Sequence, residues 1–236
     1  MLVRINANTS SASVPTELTA LVGENSLWYQ FKYKRGAEVF GEAEPAEYVY
    51  QVRAGAVRTY KLLADGRRQI GAFHLPGDIF GLENGDVYRF TADAIIDTTV
   101  WLARRESVFG ELTEVSAAAT LKLVNRSLEH VENHLLLLGR QTSLEKTASF
   151  LLEMDRRLEQ PAQIILPMSR RDIADYLGLT LETVSRAMSR LRQEGVLSFI
   201  GQTQRAIILH DRLKLSQIAL SYECWSPARS ATPWPR

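Results

Sequence analysis

The sequence predicts an α+β chain made of an N-terminal β jelly-roll, one long helix and a C-terminal winged helix-turn-helix. Three observations carry that expectation. Between about Lys32 and Leu102, short alternating runs are punctuated by the turn pieces Arg53-Ala54-Gly55, Asp65-Gly66 and Pro76-Gly77-Asp78, whose glycines stand eleven residues apart. Beyond Arg104 this punctuation stops, and apolar residues recur at alternating spacings of 4 and 3. Residues 170–194, RRDIADYLGLTLETVSRAMSRLRQE, then read as two short amphipathic helices around a tight turn.

Each element follows from its residues. Positions 1–27 are rich in Ser, Thr, Ala and Asn without a period, which predicts an arm. The jelly-roll, 28–104, contains the runs EYVYQVRAG, AVRTYKLLADG, RRQIGAFHLPGD, IFGL and FTADAIIDTTVWLA, all rich in β-branched and aromatic residues. In the helix expected over 105–139, Ala117, Leu121, Val124, Leu128, Val131, Leu135 and Leu138 form a heptad seam. A stripe this narrow favours a partner over packing on the chain's own β-domain, so these seven residues are the expected homodimer interface. Asn125, Asn133 and His134 lie off the seam and are expected to be solvated.

A second helix, Ser143 to Leu158, carries Leu144, Ala148, Leu151, Leu152 and Met154 and runs into the breaker Gln160-Pro161. It belongs to the domain expected over 140–212. After the helix pair, Glu194-Gly195-Val196-Leu197 leads into SFIGQ and AIILHD, two strand-like runs around the polar turn Gln202-Thr203-Gln204-Arg205. That is a wing. A tail is expected over 213–236, where SPARSATPWPR holds three prolines and no apolar period.

Composition narrows the function classes. With 28 Lys and Arg against 27 Asp and Glu, the net charge of +1 argues against a protein that coats nucleic acid indiscriminately and allows a localised basic face. The single cysteine, Cys224, excludes an internal disulfide and any multi-cysteine metal or iron–sulfur site within one chain. No apolar run approaches a membrane span and no secretion signal opens the chain, so no membrane association and a cytoplasmic location are expected. Nothing points to an enzyme: there is no phosphate loop, no metal-ligand spacing, and no nucleophile paired with a base among four histidines. No cofactor and no metal are expected.

The helix pair carries the functional signal. Ile173, Ala174 and Leu177 make one apolar face, Gly178 sits where a left-handed turn is needed, and Thr180 can cap the second helix. Val184, Met188 and Leu191 then form a buried stripe, leaving Leu181, Glu182, Ser185, Arg186 and Ser189 opposite. An arginine fork can bond guanine O6 and N7, and a carboxylate can accept from cytosine N4. Glu182 and Arg186 also suit an ordinary i,i+4 ion pair, and the full helix-turn-helix context favours base reading. Ser169, Arg170, Arg190, Gln204 and Arg205 are placed for phosphate contacts, with helix capping an equal role for Ser169.

From about residue 28 to 210 this order of elements resembles the CRP/FNR superfamily of bacterial transcription regulators, closest to its FixK group. Val52-Arg53-Ala54-Gly55-Ala56-Val57 is similar to the family's strand–glycine–strand turn, and Phe73-His74-Leu75-Pro76-Gly77-Asp78-Ile79-Phe80-Gly81 to its glycine–aspartate turn. Leu177-Gly178-Leu179-Thr180 followed by Glu182-Thr183-Val184-Ser185-Arg186 resembles the FNR-type recognition helix. The resemblance implies a cyclic-nucleotide-binding-like roll and a homodimer on double-stranded DNA at a palindromic promoter site, acting through RNA polymerase as an activator. Lys61 to Arg68 and Asp86 to Arg89 are candidate polymerase contacts on that analogy alone.

The implied half-site is TTGA, in the arrangement TTGA-N6-TCAA, with half-site centres one helical turn or about 34 Å apart. Arg186 would read its guanine, Glu182 a cytosine on the complementary strand, and Ser185 and Leu181 the thymines; Leu181 stands where readers of TGTGA carry arginine. Departures from the family set the regulation. Cyclic-nucleotide binders carry a Gly-Glu-Leu run and an Arg-Ser pair, whereas here Gly81-Leu82-Glu83-Asn84-Gly85-Asp86-Val87-Tyr88-Arg89-Phe90-Thr91 is shorter, has Leu82 for the glutamate, and follows Arg89 with Phe90. Arg89 is expected to be ion-paired or on the surface and His74 a hydrogen-bonded structural residue. No cyclic nucleotide response is expected, and the resemblance points to low-oxygen respiration, nitrogen fixation or denitrification genes. An unidentified small molecule bound between roll and helix is the alternative.

Overall fold

The computed structural model describes residues 29–83, 85–109, 114–140, 142–158, 163–201 and 204–220. Cys224 and the SPARSATPWPR run lie outside them.

Eight strands build the roll: β1 (Tyr29–Tyr33), β2 (Glu38–Phe40), β3 (Tyr48–Ala54), β4 (Val57–Leu62), β5 (Arg68–His74), β6 (Ile79–Phe80), β7 (Thr91–Ala94) and β8 (Thr98–Arg104). They form two antiparallel four-stranded sheets, ordered β1-β8-β3-β6 and β2-β7-β4-β5. Val52, Val57, Val100 and Leu102 point into the buried interior of the roll, while Val49 and Ala103 are buried on the opposite face of their strands. Phe40, Tyr50, Phe80 and Tyr88 fill one core as contacting rings, with Phe40 and Tyr88 stacked at 3.7 Å. Gly55 has φ +96°, and a Cβ there would lie 2.4 Å from the Thr98 hydroxyl and 2.6 Å from Thr98 Cα, so the turn between β3 and β4 admits only glycine.

His74 is half-buried on β5, with Nε2 3.2 Å from Thr59 Oγ1 and its ring stacked on Phe80 at 4.8 Å. Burial pushes its imidazole down to about 4, so it is neutral at pH 7.

Within the span where the sequence predicts a helix from residue 105, the described residues form α1 (Arg105–Phe109) and α2 (Glu114–Gly139). The inner face of α2 lays Ala119 and Leu123 against the buried pair Val49 and Ala103 of the roll, which Ile79, Leu82 and Trp101 also flank. Leu121, Val124, Leu128, Val131 and Leu135 each leave more than half of their surface in solvent, as does Leu136, which the heptad reading omits. Ala117 is exposed too, but Leu138 is half-buried beneath Gly178. His134 corrects the expectation of a solvated residue: its Nε2 lies 2.9 Å from the Tyr176 carbonyl, and the two rings stack at 4.0 Å.

Then come α3 (Ser143–Leu158), β9 (Ile164–Ile165), α4 (Arg170–Leu177), α5 (Leu181–Gln193), β10 (Leu197–Ile200), β11 (Ala206–Leu209) and α6 (Arg212–Ala219). Thr142 and Glu145 cap α3 reciprocally, each side chain accepting from the other's backbone N–H at 3.2 Å. Phe150, Leu151 and Met154 of α3 share a core with Ile173, Leu177, Val184, Met188 and Leu191. The wing sheet, ordered β10-β11-β9, has a third strand too short to read from its two isoleucines.

Helix α6 revises the boundary expected at 213. Asp211 caps it by accepting from Lys214 N–H at 2.7 Å, Leu215 and Ala219 are buried, and Arg212 pairs with Asp155 of α3 at 2.7 Å. Its apolar spacing covers only two turns, which is why it blends into the tail in the sequence.

Candidate nucleic-acid interface

Helices α4 and α5 meet around Gly178, whose φ of +64° lets its N–H bond the Ala174 carbonyl and end α4 in one residue. Ser169 caps α4 in a two-way box: its hydroxyl accepts from Asp172 N–H, and the Asp172 carboxylate accepts from Ser169 N–H. Thr180 caps α5 by accepting from Thr183 N–H at 3.2 Å. Val184, Ala187, Met188 and Leu191 bury one side of α5. That fixes which way the helix faces.

On its other side Leu181, Glu182, Arg186 and Arg190 are exposed, while Ser185 and Ser189 are half-buried, with the Ser189 hydroxyl donating to Ser185 O at 2.9 Å. Among the described residues no ion pair joins Glu182 to Arg186. Glu182 is held below its ordinary value by its own N–H at the helix start, then by the Thr180 hydroxyl, with Arg171 and Arg186 nearby. It is an ionised, acceptor-only group in the first turn.

The remaining candidates divide. Arg170 donates to Gln204 and lies over the Phe199 ring at 5.1 Å, which joins α4 to the wing. Burial and the neighbouring Arg192 push its guanidinium below its ordinary value. Arg205 donates to Pro167 O at 3.2 Å, and Arg190 pairs with Glu194 at 2.9 Å. Ser169, Arg170, Gln204 and Arg205 line a cleft of about 420 Å³ together with Arg35 from the β1–β2 turn. Arg35, Arg171 and Arg192 were not among the sequence candidates; the Lys34-Arg35-Gly36 turn and the Arg170-Arg171 pair were the available signals. Arg68, at the end of one suggested polymerase segment, is turned toward α4, and Arg89 pairs with Glu83 at 2.8 Å.

A β-roll, a long helix with an open apolar seam and a winged helix-turn-helix define a class of DNA-binding regulator. The comparisons agree. Residues 30–114 match the cyclic nucleotide-binding domain family, and residues 145–218 match the Crp-like helix-turn-helix domain family. The chain is 41% identical over 212 residues to the nitrogen fixation regulation protein FixK of Azorhizobium caulinodans, covering 86% of this chain and 82% of that one. It is 39% identical over 183 residues to the transcriptional activatory protein AadR of Rhodopseudomonas palustris, covering 75% and 76%. The structure of FixK2 from Bradyrhizobium japonicum aligns with a TM-score of 0.76 at 55% identity, covering 81% of this chain and 97% of that one. The chain belongs to the CRP/FNR family of transcription regulators, among its FixK-type members. The predicted fold class and family resemblance therefore hold.

Proposed function

We propose that the protein is a homodimeric activator that reads a TTGA-N6-TCAA-type palindrome without a cyclic nucleotide or an iron–sulfur cluster. The observation that carries this reading is the open polar face of α5, where Leu181, Glu182 and Arg186 stand exposed over a stripe that fixes the helix. In this reading Arg186 takes guanine O6 and N7, Glu182 accepts from cytosine N4, and Leu181 and Ser185 meet the thymines. Ser169, Arg170, Arg190, Gln204 and Arg205 lie against phosphates and set register.

Dimerisation joins the seams of two α2 helices through Ala117, Leu121, Val124, Leu128, Val131, Leu135 and Leu138. Burying the exposed part of these side chains favours association, by less for each than the roughly 1.5–3 kcal/mol of a full burial. The two α5 helices then enter successive major grooves, about 34 Å apart.

Independence from cyclic nucleotide is supported by two features. Arg89, the one arginine in the shortened loop, is engaged by Glu83, and aromatic rings fill the core behind it. The relative named for nitrogen fixation regulation suggests nitrogen-fixation promoters, and the family resemblance adds low-oxygen respiration or denitrification promoters, with RNA polymerase as the protein partner.

Fluorescence anisotropy on a TTGA-N6-TCAA duplex and on a scrambled duplex, with and without cyclic AMP, tests the proposal. Selective binding without nucleotide is expected. Selectivity that appears only with cyclic AMP would overturn the effector-free reading; none in either condition would overturn the site. Leu128→Lys should yield a monomer in sedimentation and lose selective binding.

A further inference from the structure

Two arginines of the roll reach across to the helix-turn-helix. Arg58 on β4 donates from Nη1 to Asp172 Oδ1 at 2.5 Å and from Nη2 to Asp93 of β7 at 2.8 Å. Arg68 on β5 brings Nη2 to 2.6 Å from the same Asp172 oxygen and 2.7 Å from Asp175 Oδ2, and its Nε donates to Asp175 at 2.9 Å. Both guanidiniums lie over the Tyr60 ring. The Asp172 side chain is 5% exposed and the arginines 17% and 21%. Its other oxygen accepts from Ser169, in the cap of α4.

One carboxylate thus joins the start of the helix-turn-helix to the sensor sheet. Further contacts extend the joint. Gln69 of β5 and His134 of α2 both meet the Tyr176 carbonyl, and Arg157 of α3 holds Asp78 at 2.5 Å and the Phe73 carbonyl at 2.8 Å. A forked guanidinium fixes direction as well as distance, and α4 cannot turn away without breaking these charge-assisted bonds. Because α5 follows α4 through the fixed turn at Gly178, the joint sets where α5 stands relative to α2.

The clamped face of α4 carries Asp172, Asp175 and Tyr176, and Leu181, Glu182 and Arg186 of α5 remain exposed while it is closed. The closed joint leaves these base-reading side chains uncovered. We propose that Arg58 and Arg68 are positioning residues for DNA recognition, a charge clamp that fixes the separation of the two recognition helices across the dimer. This rests on the dimeric palindrome reading above.

The test compares wild type, Arg68→Glu and the charge swap Arg68→Glu/Asp175→Arg on duplexes with N5, N6 and N7 spacers. It also follows hydrogen exchange in α4 without DNA. Arg68→Glu should lose about tenfold in affinity for N6, in the range usual for coupling between sites, and flatten the preference for N6 over its neighbours. The swap should restore both affinity and spacer preference, and exchange in α4 should rise in the single variant and recover in the double. Arg68→Gln, a milder change, gives a smaller loss in the same direction if the glutamate variant folds poorly. Unchanged or tighter binding by Arg68→Glu, with N6 still preferred by wild type, would overturn the positioning role alone. Absence of an N6 preference in wild type would overturn the dimer reading and this role with it, while α4 exchange would still report whether the clamp exists.

Discussion

The two helices of the helix-turn-helix carry similar side chains and use them in opposite ways. In α4, Asp172 is buried and engaged by Ser169, Arg58 and Arg68, and five of its eight residues are buried. In α5, Glu182 is exposed, no ion pair ties it to Arg186, and only four of thirteen residues are buried. Both acids sit in the first turn, where a helix N-terminus favours negative charge. What an acid does here is decided by what faces it across the fold. Asp172 faces two arginines of another domain and holds structure; Glu182 faces solvent and is free to accept from a ligand.

The largest effect should come from Asp172→Ala. It removes the reciprocal cap and leaves two partly buried arginines short of a partner, at a cost of about 3 kcal/mol in urea denaturation. Burial pushes the Asp172 carboxyl up, but the Ser169 bonds and the two guanidiniums outweigh it and hold the group below its ordinary 3.8. With a depressed folded value, its contribution is present at neutral pH and is lost as pH falls below about 4 through that value. The variant should therefore show a shallower acid limb than wild type. An equal stability loss in Glu182→Ala would erase the contrast between the helices.

Glu182→Ala should instead leave stability within about 0.5 kcal/mol and cost about 1–3 kcal/mol of discrimination at a single base pair. Binding measured across all four bases at the position paired with the TTGA guanine checks it. Uniform weakening on every duplex would return Glu182 to a merely structural role at the start of α5, and uniform tightening to an electrostatic one.

The caps sharpen the contrast at a smaller scale. Ser169→Ala breaks a box with bonds in both directions, and Thr180→Ala removes one accepting bond at 3.2 Å. Losses of about 1 kcal/mol are usual for such caps, with Ser169 expected to exceed Thr180 in thermal unfolding. The reverse order would mean that α5, not α4, is the better anchored helix.

The sequence shows the local half of this arrangement. Ser169, Gly178 and Thr180 are legible because capping and left-handed turns need particular residues within a few positions. The stripe Val184, Met188 and Leu191 is legible because burial follows the helical period. The clamp is not legible, since Arg58 and Asp172 stand 114 positions apart and neither departs from what a solvated surface would carry. His134 reads as a solvated polar residue for the same reason, its Tyr176 partner being 42 positions away. Helix α6 escapes notice because eight residues hold only two buried apolar positions. Long-range polar pairing leaves no period, and period is what a single sequence displays.

The smallest effect tests the wing against the recognition helix. Arg205 uses one arm of its guanidinium on Pro167 O and keeps its place in the cleft beside Arg170 and Gln204. A cation beside phosphate releases a counterion when DNA binds, so Arg205→Ala should lower the slope of log affinity against log salt by about one unit. It should do so on palindromic and random duplexes alike, because phosphates carry no base identity. An altered base preference would move Arg205 from the backbone to the base edges. An unchanged slope would assign it wholly to holding the wing against Pro167, leaving α5 to supply the charge that meets DNA.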